Sequence, residues 1–275
     1  MDIQSRQPQQ FLTKASGYLK DYTHTLNPYM GCQFACTYCY VRRSPISLFS
    51  GKTWGDWVTA KTDEQLKFRK ELQKNKAKGP FTVFMSSSTD PYQPLEKKYE
   101  MTRYLLSEMH DCPPDFLFIQ TRSPLIQRDI DILQSYPGNF IVSMTVESDR
   151  EDIIRHFTPK APSIQSRLKT VDKLRAAHIP TQIAVAPVLP CTNQFGERLA
   201  KHVDRVTIDD YFMGDGSNDG RRTQSLGIQS LYEDFDLQSW YHPDTYLHVL
   251  KLMQDAFPHD NIAISSNGFV PFQSN

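Results

Sequence analysis

The chain has 275 residues, with 31 Lys+Arg against 31 Asp+Glu and therefore zero formal net charge, 12% aromatic and 23% charged residues. That length suits one large α/β domain with a substantial core. A protein that works through phosphate contacts usually carries a basic excess, so the charge leaves a nucleic-acid partner open but unsupported. No apolar run approaches the ~18 residues of a membrane helix, so no membrane partner is expected.

In chain order, residues 1–21, rich in Gln and Ser, read as an irregular lead-in without the charged-then-apolar pattern of a secretion signal. Thr25–Tyr29 reads as a first strand. Asp63–Asn75 reads as an amphipathic helix around Leu66, Phe68 and Leu72, and the lysines between Lys61 and Lys78 read as its solvated face. Short apolar runs then recur at Phe81–Met85, Asp115–Gln120, Phe140–Val146, Thr181–Ala186, Arg205–Ile208 and Asn261–Ser265. Their Val, Ile and Phe content is that of strands buried on both faces. Helical segments lie between them at Thr102–His110, Gln127–Ser135, Ser163–His178 and Pro243–Ala256. Strands alternating with helices predict a parallel sheet with right-handed crossovers. The Gly-rich stretch Met213–Arg222 follows the sixth strand and reads as an exposed loop that can close over the sheet's end. The organisation expected is a lead-in over 1–21, a core over 22–212, and over 213–275 a loop, a C-terminal helix and a final strand packed on that core.

The chemistry concentrates in Asn27-Pro-Tyr-Met-Gly-Cys-Gln-Phe-Ala-Cys-Thr-Tyr-Cys-Tyr40. Cys32, Cys36 and Cys39 can hold three irons of a [4Fe–4S] cube and leave the fourth open to a small molecule. A structural zinc site needs a fourth ligand, for which only His24 is near. The 5 cysteines, with no secretion signal, point to a reduced, cytoplasmic protein rather than to disulfides.

The spacing closely resembles that of the radical S-adenosylmethionine (SAM) enzymes. The resemblance implies a [4Fe–4S] cluster and SAM as cofactors, and a partial (β/α)6 barrel of the TIM-like type. It implies reductive cleavage of SAM to a 5′-deoxyadenosyl radical that abstracts hydrogen from a substrate. It also implies a reducing partner such as flavodoxin or ferredoxin. Barrel enzymes carry their sites at the C-terminal strand ends, and polar residues gather there in this sequence. By resemblance, Ser86, Ser87 and Ser88 receive the methionyl amine of SAM. Ser143, Thr145 and Glu147 alternate along the fourth strand and so share a face, where the carboxylate and ribose bind. Arg167 is a candidate partner of the carboxylate, and Tyr38 marks the adenine neighbourhood.

The stretches Thr89-Asp-Pro-Tyr-Gln-Pro-Leu-Glu96, Phe157-Thr-Pro-Lys-Ala-Pro-Ser163 and Ala186-Pro-Val-Leu-Pro190 narrow the likeness to the spore photoproduct lyase-like branch over about residues 22–212. That lyase returns hydrogen from a cysteine just past the second strand, where this chain has Ser88. Cys191, after the fifth strand, is a weak candidate for the missing donor. Cys112 lies before the third strand, at the wrong end for chemistry. The reading is a radical SAM enzyme of unknown substrate. The alternatives are spore photoproduct lyase-type DNA repair and a non-enzymatic iron–sulfur or zinc module.

Overall fold

The computed structural model describes residues 1–215, 217 and 220–271. Its centre is an open barrel. β3 (His24–Leu26), β6 (Thr82–Met85), β7 (Phe116–Thr121), β8 (Asn139–Thr145), β9 (Thr181–Val185), β10 (Val206–Ile208) and β11 (Ile262–Ile264) run parallel in that spatial order. β2 (Leu12–Lys14) is added antiparallel to β3 at one edge. The sheet does not close between β2 and β11; there the Tyr18 ring packs on Phe269, with centroids 6.1 Å apart. The architecture is the expected α/β partial barrel.

Strand alternation divides the apolar side chains between two cores. Val83, Met85, Leu117, Ile119, Val142 and Met144 face outward, beneath the helices. The main helices of that layer are α2 (Lys67–Lys76), α4 (Met101–Asp111), α7 (Ile164–Ala176) and α11 (Thr245–Gln254). Phe84, Phe116, Phe118, Ile141 and Ala184 face inward and meet Tyr22 and Phe269, plugging the barrel. Phe84 and Phe118 stack with ring centroids 4.8 Å apart. Lys70, Lys74, Lys76 and Lys78 are exposed, as expected of a solvated helix face.

Three expectations are corrected. The lead-in is not irregular: β1 (Asp2–Arg6) pairs with β5 (Trp57–Lys61), and β2 pairs with β3. Every residue of β1 is exposed, so the strand owes its form to backbone pairing and leaves no apolar alternation to read. Second, Thr25–Tyr29 is not one strand. Proline at 28 offers no N–H for a ladder, and the chain leaves the barrel there to form β4 (Tyr29–Met30), which pairs with β5 in a separate small sheet. Third, Gln127–Ser135 is a 3-10 turn, Pro124–Asp129, followed by the short α5 (Ile130–Gln134). Of the loop Met213–Arg222, residues 216, 218 and 219 lie outside the described residues.

Candidate active site

The cysteine loop joins β4 to a 3-10 turn, Tyr40–Arg43. It is held from several sides. Gly31 adopts φ +79°, and a Cβ there would stand 2.4 Å from the Trp57 carbonyl oxygen, so only glycine fits. Arg42 donates to the carbonyls of Cys36 (2.9 Å) and Ala35 (2.6 Å). The backbone N–H and the hydroxyl of Thr37 both donate to the Phe157 carbonyl, at 3.0 and 2.9 Å. Gln93 accepts from the Gln33 N–H at 2.9 Å and donates to the Gly31 carbonyl at 3.2 Å. The two motifs around Asp90 and Phe157 therefore serve as clamps on the cysteine loop. Asp90 also ties strand ends together by accepting from the Thr121 hydroxyl (2.8 Å) and the Arg122 N–H (2.9 Å).

The loop borders a cavity of about 660 Å³ at the C-terminal ends of the strands. Of the residues singled out from sequence, Cys36, Cys39, Tyr38, Ser86, Ser87, Ser88 and Thr145 line it. Cys32, Ser143, Glu147, Arg167 and Cys191 are not on its wall. Ser143 does point into the barrel, but one layer deeper, where Gln182 Nε2 donates to its hydroxyl at 3.3 Å. Gln120 donates to Thr145 Oγ1 at 2.6 Å. Ser86 adopts φ +79°, a conformation that glycine takes without penalty. Cys191 sits in the loop beyond β9, whose Pro190 carbonyl is held by Ser148, and so lies away from the cavity.

Glu147 and Arg167 were expected to touch a ligand directly; the structure places both behind the wall. Both are fully buried and joined at 2.6 Å. Glu147 also accepts from Tyr38 Oη at 2.5 Å and from Arg122 Nη1 at 2.6 Å. Burial alone would raise the Glu147 carboxyl, but Arg167 and Arg122 outweigh it and hold it down at about 2. The carboxylate is thus saturated by protein donors, and it fixes Tyr38 and Arg122 at the cavity edge. Arg122 lines the cavity and was not assigned from sequence. Its signal was there, a polar residue at the end of the third core strand.

Three buried side-chain atoms on the cavity wall have no hydrogen-bond partner: Ser86 Oγ, Gln120 Oε1 and Asp209 Oδ1. An orphaned buried polar atom costs about 1–3 kcal/mol unless a partner reaches it, and three such atoms lie on this one wall. Burial pushes the Cys32 thiol up to about 12, with the charges of Asp90 and Cys36 adding to the shift, and the Cys39 thiol up to about 11, with the charge of Cys36 adding. Three such thiols ionise together only beside strong positive charge, as irons provide. Among the described residues no three His, Cys, Asp or Glu side chains converge on a single-ion site. A cube asks for no such convergence, because each thiolate binds a different iron. His24 is turned away, with Nδ1 on the Thr23 hydroxyl at 2.9 Å and its ring edge-on to Phe81. Three thiols in one loop, with His24 not placed as a fourth ligand, are the donor set that a [4Fe–4S] cube with one open iron uses. No helix among the described residues is long and apolar enough to cross a membrane.

The family model of the Radical SAM superfamily matches residues 26–194, more than half of the chain. An uncharacterised protein of Methanocaldococcus jannaschii is 33% identical over 168 residues, 61% of each chain. A radical SAM Nalpha-GlyT isomerase of Pseudomonas phage M6 is 27% identical over 165 residues, 59% of this chain and 32% of the phage protein. The chain thus spans less than two thirds of the length of these relatives. Among solved structures, spore photoproduct lyase complexed with dinucleoside spore photoproduct superposes with a TM-score of 0.69, covering 96% of this chain and 81% of that one at 13% identity. That likeness is one of fold.

Proposed function

Because this chain belongs to the radical SAM superfamily, we propose that Cys32, Cys36 and Cys39 hold a [4Fe–4S] cluster with SAM on its open iron. When bound, the reduced cluster would supply one electron for reductive cleavage of SAM to methionine and a radical able to take a hydrogen atom from a substrate. The protein's part is to bind, orient and shield. Arg42, Gln93 and the Phe157 carbonyl keep the cysteine loop in place. Ser86–Ser88 and Thr145 offer polar groups on the wall beside Cys36 and Cys39. Arg122, held by Glu147, presents a guanidinium edge suited to a carboxylate. Arg167 and Glu147 are positioning residues in this scheme, acting through Arg122 and Tyr38. The aromatic plug of Phe84, Phe118 and Phe269 closes the barrel beneath.

The observation that carries this reading is that Cys36 and Cys39 open onto one cavity together with orphaned polar atoms at the parallel strands' C-terminal ends. Anaerobic reconstitution with iron and sulfide should give a brown protein with about four irons per chain. It should cleave SAM when reduced by dithionite or by flavodoxin or ferredoxin. Alanine at any of the three cysteines should abolish cleavage. Stoichiometric zinc with no iron uptake would sink the proposal.

Repair of spore photoproduct is disfavoured. Ser88 is on the cavity wall, and among the described residues no cysteine other than Cys36 and Cys39 joins it there. An alkyl radical takes hydrogen from S–H far more readily than from a hydroxyl. SAM should therefore be cleaved without useful repair of thymine-containing DNA, and efficient repair would restore the lyase reading.

A further inference from the structure

On the cavity wall supplied by β10, two carboxylates stand without a cation. Asp209 continues the inward alternation of Thr207 and lines the cavity, as does Asp210. Asp209 Oδ1 is buried and unpartnered. The hydroxyls of Tyr18 and Ser265 lie against the same side chain. Asp210 is only 6% exposed, and its Oδ1 accepts from the Tyr211 N–H at 2.7 Å. No other hydrogen bond to the Asp210 carboxylate is made among the described residues. Lys14 and Arg222 line the same cavity, but neither forms an ion pair with Asp209 or Asp210 among the described residues. Burial pushes both carboxyls up to about 7, and the charge of Asp209 adds to the shift of Asp210.

Two buried carboxylates on one wall are unfavourable as a charged pair until they take up protons or a positive group joins them. The surroundings suit such a group. Tyr18, Tyr211 and Phe269 line the cavity next to the pair, and aromatic faces attract ammonium ions. A neutral or anionic ligand would leave the charges uncompensated. From this geometry we infer that Asp209 and Asp210 form the substrate-recognition wall of the cavity and take a protonated primary amine. The inference rests on the radical SAM reading, since it places the amine-bearing substrate in the cavity onto which Cys36 and Cys39 open.

The test is a calorimetric titration of the full chain, reconstituted with its cluster and saturated with SAM at pH 7.5. The probes are n-butylamine and spermidine, with n-butanol and N-acetylglycinamide as neutral controls. The amines should bind at least tenfold more tightly than the controls, and Asp209→Asn and Asp210→Asn should each weaken them at least tenfold. The comparison of amines with controls in the parent protein holds whether or not the variants fold. Equal binding of amines and neutral compounds, or no amine binding at all, overturns the inference. So does a loss of SAM affinity in the variants as large as the loss of amine affinity, which would assign the carboxylates to SAM. A parent that cleaves SAM but binds no amine removes only this inference. One that binds amines but cleaves no SAM removes the radical SAM reading.

Discussion

At the scale of single residues, the site is governed by how each charge is compensated. Glu147 is the compensated case, with Arg122 and Arg167 both at 2.6 Å. Glu147→Gln leaves two guanidinium groups without their anion and should destabilise the fold by about 3–5 kcal/mol in urea unfolding at pH 7. The pH dependence has a definite sign. The folded carboxyl sits at about 2, below its ordinary 4.5, so its contribution is fully present above about pH 4.5 and is lost as pH falls toward 2. The gap between parent and variant should therefore narrow in acid. Asp209 is the opposite case. Its carboxyl is raised from 3.8 to about 7, so the folded state binds the extra proton and loses stability as pH rises through that window. Asp209→Asn removes the burden. In ligand-free protein it should melt higher than the parent at pH 8, with the difference vanishing near pH 4. A difference that grows toward acid would refute the assignment of an uncompensated carboxylate.

At the scale of elements, the cysteine loop owes its shape to its clamps and not to regular structure. Gly31→Ala should push the loop off the Trp57 carbonyl, which would lie 2.4 Å from the new Cβ. Iron bound per chain after reconstitution should fall well below the parent's, while far-UV circular dichroism stays close to it. Normal iron loading would show that the loop does not need this close approach. The clamps were half legible. The motif at Thr89–Glu96 stood out in the sequence as distinctive, but its work depends on Gln93 reaching Gly31 and Gln33, some 60 residues away in the chain. Such a pairing has no local periodicity to announce it.

At the scale of the whole molecule, the barrel is filled at its centre by aromatic side chains instead of being closed by a full ring of strands. Phe118 is fully buried between Phe84, Tyr22 and Phe269. Phe118→Ala should lower the unfolding free energy by about 3–5 kcal/mol in a denaturant titration. A loss under about 1 kcal/mol would mean that the plug collapses around the gap. The same plug forms the cavity floor, since Phe84 and Phe269 line it, so stability and site shape are linked through these rings.

The sequence by itself determined the α/β alternation and the cysteine chemistry. Both are local signals: doubly buried strands read as continuous apolar runs, and three thiols within eight residues need no fold to bring them together. It did not determine β1 and β5, whose pairing is long-range and, for β1, made of exposed side chains. Nor did it separate ligand-facing residues from those behind them. Ser143, Thr145 and Glu147 alternate alike along β8 and beyond it, yet only Thr145 reaches the cavity. Gln182 engages Ser143 below, and two arginines from other elements take up Glu147 above. Which polar side chains stay free for a ligand depends on which are already satisfied by distant partners, and only the tertiary structure decides that.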